Sequence, residues 1–197
     1  CDFYRSVKLK HIPSVVEAMH SELEAQSNFL HERVIRTIYF GGGTPSLLAP
    51  CEIEAFVEQA RKLFDCSQLE VTIEVNPDDI TPEYVAELRK TSVNRISMGV
   101  QSLDDRCLQF MGRRHSAEQA VKAVQMLQEA GYDNISVDVI FGIPGFGRTE
   151  LEDTLQRVLA MNVQHISAYH LTIEENTRFG RMMAKGELIE LDECSSE

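Results

Sequence analysis

Three polar residues stand where an interior strand has little use for them: Glu74 in "TIEVNPDDIT", Gln101 in "RISMGVQS" and Asp138 in "ISVDVIF". Each interrupts a run that is otherwise largely β-branched or apolar. A buried charge without a partner costs several kcal/mol. Two carboxylates and an amide on successive strands therefore call either for partners in the fold, such as Glu74 with Arg95, or for a polar ligand. A second feature shares their chemistry. Gly41-Gly42-Gly43-Thr44 follows the short run "RTIYF", and a strand gains nothing from glycine, which costs backbone entropy and packs no side chain. Three in a row serve either a tight strand-to-helix turn or the approach of a ligand to bare main chain, with Pro45 stiffening the exit. A phosphate loop does not fit, because "GGGTPS" has no Lys-Ser or Lys-Thr after the glycines and does not match G-x-G-x-x-G.

The remaining candidate groups are weaker. The five cysteines, at 1, 51, 66, 107 and 194, include no C-x-x-C pair. Cys51, Cys66 and Cys107 lie in or beside helical patterns and read as small apolar packers. Arg113-Arg114-His115 is the one basic cluster in a chain of net charge −12, which argues against nucleic acid as the main partner; His115 reads as a surface or turn histidine. With 43% hydrophobic and 25% charged residues the chain is ordinary globular material. It has no apolar run long enough to span a membrane and no signal peptide in "CDFYRSVKLK", so a cytosolic protein is expected.

The elements that must position these residues repeat. Five β-rich runs (36–40, 70–75, 95–100, 135–141 and 165–171) are separated by helical patterns. Residues 13–30 place Val15, Val16, Met19 and Leu23 on one helical face, and Ile53, Phe56, Val57, Ala60 and Phe64 do so in the next helix. Ser116 with Gln119, and Thr149 with Glu152, read as capping boxes, while Gly131 closes a helix. Repeated β-α units imply a parallel sheet with right-handed crossovers, either an open doubly wound sheet or a (β/α) barrel. No repeat, linker or low-complexity tract marks a second domain.

Parity along the strands then sorts the chemistry. Val71, Ile73 and Val75 fall on one side, and Thr72, Glu74 and Asn76 on the other; Ile96, Met98 and Val100 oppose Arg95, Ser97 and Gln101. A parallel strand covered on both faces is nearly all apolar, so this alternation predicts a wet inner face. Its polar groups would gather at the carboxyl ends of the strands, where barrels and open sheets alike bind ligands.

Six segments in order, "CDFYRS", "YFGGGTPSLL", "TIEVNPDDIT", "NRISMGVQSLDDRCLQFMGRRHS", "SVDVIFGIPG" and "HISAYHLTIEENTRFG", resemble the radical S-adenosylmethionine (SAM) proteins related to oxygen-independent coproporphyrinogen III oxidase. The resemblance implies a partial (β/α) barrel of parallel strands. It implies a [4Fe-4S] cluster on three cysteines of a C-x-x-x-C-x-x-C loop, with Cys1 as the third. On this reading residues 1–197 are one radical SAM core, a fragment lacking the first strand and the carboxy-terminal domain, which cannot ligate a cluster alone. In the family the open iron binds the amino and carboxylate groups of SAM, whose cleavage yields a 5′-deoxyadenosyl radical.

Carried over by position, Gly42, Gly43 and Thr44 present backbone to the methionyl end of SAM, and Glu74 and Gln101 contact it. Arg113 faces its carboxylate, Asp138 lies near the ribose hydroxyls, and Phe3 packs beside cluster and adenine. The oxidases follow the third cluster cysteine with Gly and a fourth Cys, whereas Asp2 and Phe3 follow Cys1 here. That form resembles the haem chaperone branch. The implied cofactors are the cluster, SAM and haem, and the implied partners are haem or a porphyrinogen, haemoprotein targets and an electron donor. Oxidative decarboxylation of two propionates of coproporphyrinogen III is the alternative.

Overall fold

Each of the five β-rich runs forms a strand, and every crossover carries at least one helix. The computed structural model describes residues 9–189. In chain order the elements are α1 (Ile12–Ala25), β1 (Thr37–Phe40), α2 (Pro50–Leu63), β2 (Glu70–Val75), α3 (Pro82–Leu88), β3 (Arg95–Gln101), α4 (Asp105–Met111), α5 (Ala117–Glu129), β4 (Ile135–Phe141), α6 (Arg148–Ala160), β5 (His165–His170) and α7 (Arg178–Ala184). The strands are all parallel and lie in sequence order, β1-β2-β3-β4-β5. Right-handed crossovers that always step the same way leave their helices on one face of the sheet. This order resolves the choice left open above in favour of an arc of a (β/α) barrel.

The parity expectation holds. Val71, Ile73, Val75, Ile96, Met98, Val100, Ile135, Val137 and Val139 are buried in one core with Ile53 and Val57 of α2, Leu88 of α3, Val124 and Leu127 of α5 and Val158 of α6. The opposite face carries Tyr39, Thr72, Glu74, Ser97, Ser136, Asp138 and Ser167. Strand register aligns Glu74 with Ser97, Ser97 with Ser136, and Asp138 with Ser167.

Several local expectations are borne out and others are corrected. Ser116 and Gln119 form the capping box of α5, and Gly131 follows its last turn at φ 89°. Thr149 is not a cap: α6 begins two residues earlier than that cap would place it, with Gly147 at the N-cap donating to Glu150, while Glu152 pairs with Arg148 at 2.6 Å. The first helix ends at Ala25 and buries none of its residues, with Val15 54% and Met19 43% exposed. Its apolar stripe has the right period, but α1 touches the body chiefly through α2, where His20 stacks on Phe56 at 3.8 Å and bonds Gln59. Of the three cysteines described, Cys107 is buried, Cys66 half-buried and Cys51 exposed, so Cys51 is no packer. No helix of the described residues is long and apolar enough to cross a membrane.

Candidate functional site at the carboxyl edge of the sheet

The glycine run divides into two jobs. A Cβ on Gly41 would stand 2.5 Å from the Tyr39 ring and 2.9 Å from Glu74 Oε1, so this position needs a bare backbone for space. Gly42 and Gly43 have φ of 76° and 68°, the left-handed region that other residues enter at a cost, and a Cβ there would meet nothing within 4 Å. Glu74 holds this loop in place: its Oε2 accepts the Gly42 N–H at 2.9 Å and its Oε1 the Tyr39 hydroxyl at 3.0 Å. Desolvation, followed by that bond to Glu74, pushes the Tyr39 phenol above its ordinary range. Tyr39, not Arg95, is therefore Glu74's side-chain partner; it lies on the polar face by the same parity.

Beyond the loop, Pro45–Leu47 makes one 3-10 turn, and Ser46 donates to Asp79 at 2.7 Å. Asn76 also donates to Asp79, at 3.3 Å, and Arg114 pairs with Asp78 at 2.6 Å and lies 3.6 Å from Asp79. Three segments distant in sequence are thus tied together at the strand ends. Nothing in the sequence pattern flags Asp78 and Asp79, because their place in a turn between strand and helix offers no periodicity.

Gln101 and Asp138 flank the middle of this edge. Asp138 is half-buried. Burial raises its carboxyl above the usual range and the Glu74 charge adds to the effect, while the Ser167 and Ser97 hydroxyls and His165 oppose it. Gln101 is 7% exposed, at the end of a register shift in β3, and its amide folds back over Gly99, where a Cβ would stand 2.7 Å from Nε2. Arg113 follows Gly112, which closes α4 at φ 74°. Its guanidinium is half-buried with no ion pair among the described residues; burial lowers its pKa against the fields of Asp78 and Asp138. His115 is not a surface residue: it is 4% exposed, with Nε2 3.1 Å from the Val100 carbonyl. Its basic neighbours gave no sign of burial.

The edge therefore offers one exposed main-chain cradle, one carboxylate kept partly desolvated, one amide and one cation. That set suits a zwitterionic ligand with hydroxyl groups. The sequence profile of the radical SAM superfamily matches residues 1–158, most of the chain. The chain belongs to the radical SAM superfamily. Among curated proteins it is 33% identical over 188 residues to "Heme chaperone HemW" of Lactococcus lactis, covering 94% of this chain and 48% of the relative. To the Bacillus subtilis protein of the same name it is 30% identical, covering 95% and 50%. The chain spans about half the length of the curated relatives it matches. Among solved structures, coproporphyrinogen III oxidase (HemN) from Escherichia coli, a radical SAM enzyme, superposes with a TM-score of 0.81 over 96% of this chain and 44% of that one, at 22% identity. That likeness is one of fold.

Radical SAM membership implies a [4Fe-4S] cluster and SAM, and the residues described fit the second of these. The Gly43 main-chain groups and the Thr44 N–H make no hydrogen bond among the described residues, and the Gln101 amide and Arg113 guanidinium are likewise without a hydrogen-bond partner there. For the cluster, no group of three or more His, Cys, Asp or Glu among the described residues could hold a metal. Cys1 and Phe3 lie outside the described residues.

Proposed function

We propose that this chain is the cofactor-binding core of a cytosolic haem chaperone, one radical SAM domain spanning residues 1–197. The reading is carried by the relatives named for that function, which align with nine-tenths or more of the chain at about one-third identity. Cys1 followed by Asp2-Phe3 rather than Gly-Cys supports the same branch. Cys1 would be a cluster ligand, with Phe3 beside it.

The site residues divide the work of holding SAM. Gly43 and Thr44 would offer free main-chain groups to its amino group and carboxylate, with Gly42 and Glu74 fixing the loop that carries them. Arg113 would neutralise the carboxylate and Asp138 would accept from the ribose hydroxyls. Gln101 would donate and accept from the strand between them. When bound, the cluster and SAM supply redox chemistry that no side chain here provides. Haem, haemoprotein targets and an electron donor would be the partners of the whole protein.

The test uses the whole protein with its cluster reconstituted anaerobically. SAM affinity is measured by calorimetry, haem binding by absorbance titration and coproporphyrinogen III decarboxylation by product analysis. Haem binding without decarboxylation is expected. Asp138→Ala, which removes a charge-assisted contact of roughly 1.5–3 kcal/mol, should weaken SAM binding about tenfold or more while iron content stays unchanged. Turnover of coproporphyrinogen III without haem binding would overturn the chaperone reading in favour of the oxidase.

A further inference from the structure

Gln101 is held in a conformation that works against its side chain. Its φ is 67°, and it and Asn162 are the non-glycine residues with positive φ among those described. The Ser102 N–H donates back to the Val100 carbonyl at 2.8 Å. A two-residue closure around a residue of positive φ is the strained form of γ-turn, rare even for small residues. Such strain persists only where the surroundings over-determine it.

The surroundings here converge on two groups. On the far side of the turn, Thr154 of α6, 1% exposed, accepts the Leu103 N–H at 3.1 Å and lies 3.4 Å from the Ser102 hydroxyl. On the near side, His115 reaches the Val100 carbonyl from the loop between α4 and α5. A carbonyl only accepts, so Nε2 carries the proton. Both lone pairs of that oxygen are then used, one by Ser102 and one by His115. Without the imidazole, the carbonyl would have a single buried donor, and the peptide between Val100 and Gln101 would be free to turn toward the ordinary extended geometry of β3. Such a turn would carry the Gln101 amide off Gly99 and out of the site.

We infer that His115 is a positioning residue for Gln101, acting through the Val100 carbonyl to hold the γ-turn that aims the amide at the ligand. The inference rests on the SAM reading of the site for its functional consequence, but the clamp itself is a property of the fold. His115 is 4% exposed and acts through the carbonyl rather than on the ligand itself. It stays neutral near neutral pH, since burial, with the Arg113 and Arg114 charges adding, lowers its pKa against the Val100 bond and Asp78.

Two measurements test the inference. In the protein with and without its cluster, 15N spectra should show His115 as the neutral Nε2–H form, with slow exchange of the Ser102 amide that becomes fast in His115→Phe. In the cluster-loaded protein, His115→Phe, which keeps the ring and loses the donor, should weaken SAM binding about tenfold, and His115→Gln, which restores an N–H, should recover it to within about threefold. In a Gln101→Ala background, His115→Phe should change affinity less than about twofold, because coupled residues are non-additive. The opposite tautomer, or a tenfold loss that persists without Gln101, overturns the clamp. If the wild type binds no SAM while the tautomer and the protected amide are as described, the SAM reading falls and the clamp stands. Should His115→Phe not fold, the tautomer in the wild type and the Gln variant still decide it.

Discussion

Two turns leave neighbouring parts of the same sheet edge with the same unusual backbone sign, and they are built in opposite ways. After β1 the chain turns on Gly42 and Gly43; after the register shift of β3 it turns on Gln101. The first turn is exposed and unstrained, since glycine enters the left-handed region freely. It is held from outside by Glu74 on its own N–H and, further along, by Asp79 on Ser46. The second turn is buried and carries a long side chain where glycine would be easier, and it is clamped on both sides by His115 and Thr154. On the proposed reading only main chain faces the ligand at the first turn, where glycine removes the strain and light tethers suffice. At the second, the same reading has a side chain presented from left-handed geometry, and the fold supplies a buried clamp.

The largest effect expected from this contrast is at the first turn. Gly42→Val puts a β-branched residue at φ 76° and should destabilise the protein by about 2 kcal/mol or more, whereas Gly43→Asn, a residue that tolerates this region, should cost under about 1 kcal/mol. Urea denaturation compares them, and equal losses would mean that the turn is not conformationally selected. Affinity lost in the Val variant thus mixes strain with blocked access; Asn at Gly43 is the cleaner probe of whether main chain meets ligand.

Asp79→Ala should cost about 1–2 kcal/mol, because it strips the Ser46 hydroxyl and Asn76 amide of their acceptor. The loss should appear as faster hydrogen exchange in the glycine loop, with exchange at Gln101 unchanged. Equal loosening of both turns would erase the distinction between them.

Gln101→Gly should leave stability within about 0.5 kcal/mol, as relieved strain offsets lost packing and a more flexible unfolded chain, yet weaken SAM binding about tenfold. A large stability loss with affinity intact would make Gln101 a packing residue.

The smallest effect is on pH dependence, and its two parts run in opposite senses. His115 has a folded pKa below its ordinary value of 6.5, so its contribution is complete above that pH and is lost as pH falls below it through the folded value. His115→Phe should flatten stability in that window. Asp138 has a folded pKa above 3.8, so its contribution is complete below that pH and is lost as pH rises through the folded value. Asp138→Asn should therefore raise stability near neutral pH even as it weakens the ligand. Denaturation midpoints across pH would show both, and an unchanged profile in either variant would sink that half.

Much of the architecture was written in local pattern. β-branched runs at intervals marked all five strands to within a residue at each end, and alternation within them assigned Val71, Ile73 and Val75 to the helix-covered face and Thr72 and Glu74 to the other. That alternation has a period of two residues, so it survives whatever packs against the strand. The glycine run, too, announced a special backbone. Other features depend on partners far along the chain and leave no period to read. The stripe on α1 looks like a core face but is largely exposed, because burial depends on what lies opposite. His115 sits beside two arginines in sequence and beside a strand carbonyl in space, so its burial and its bond were decided by how the α4–α5 loop folds back over β3. The strand order, and hence the choice of barrel over doubly wound sheet, belongs to the same class, since each β-α unit is locally alike whichever way its crossover steps. Sequence determined which groups were available and which face they took; tertiary structure determined which of them meet, because hydrogen bonds and burial are set by neighbours in space.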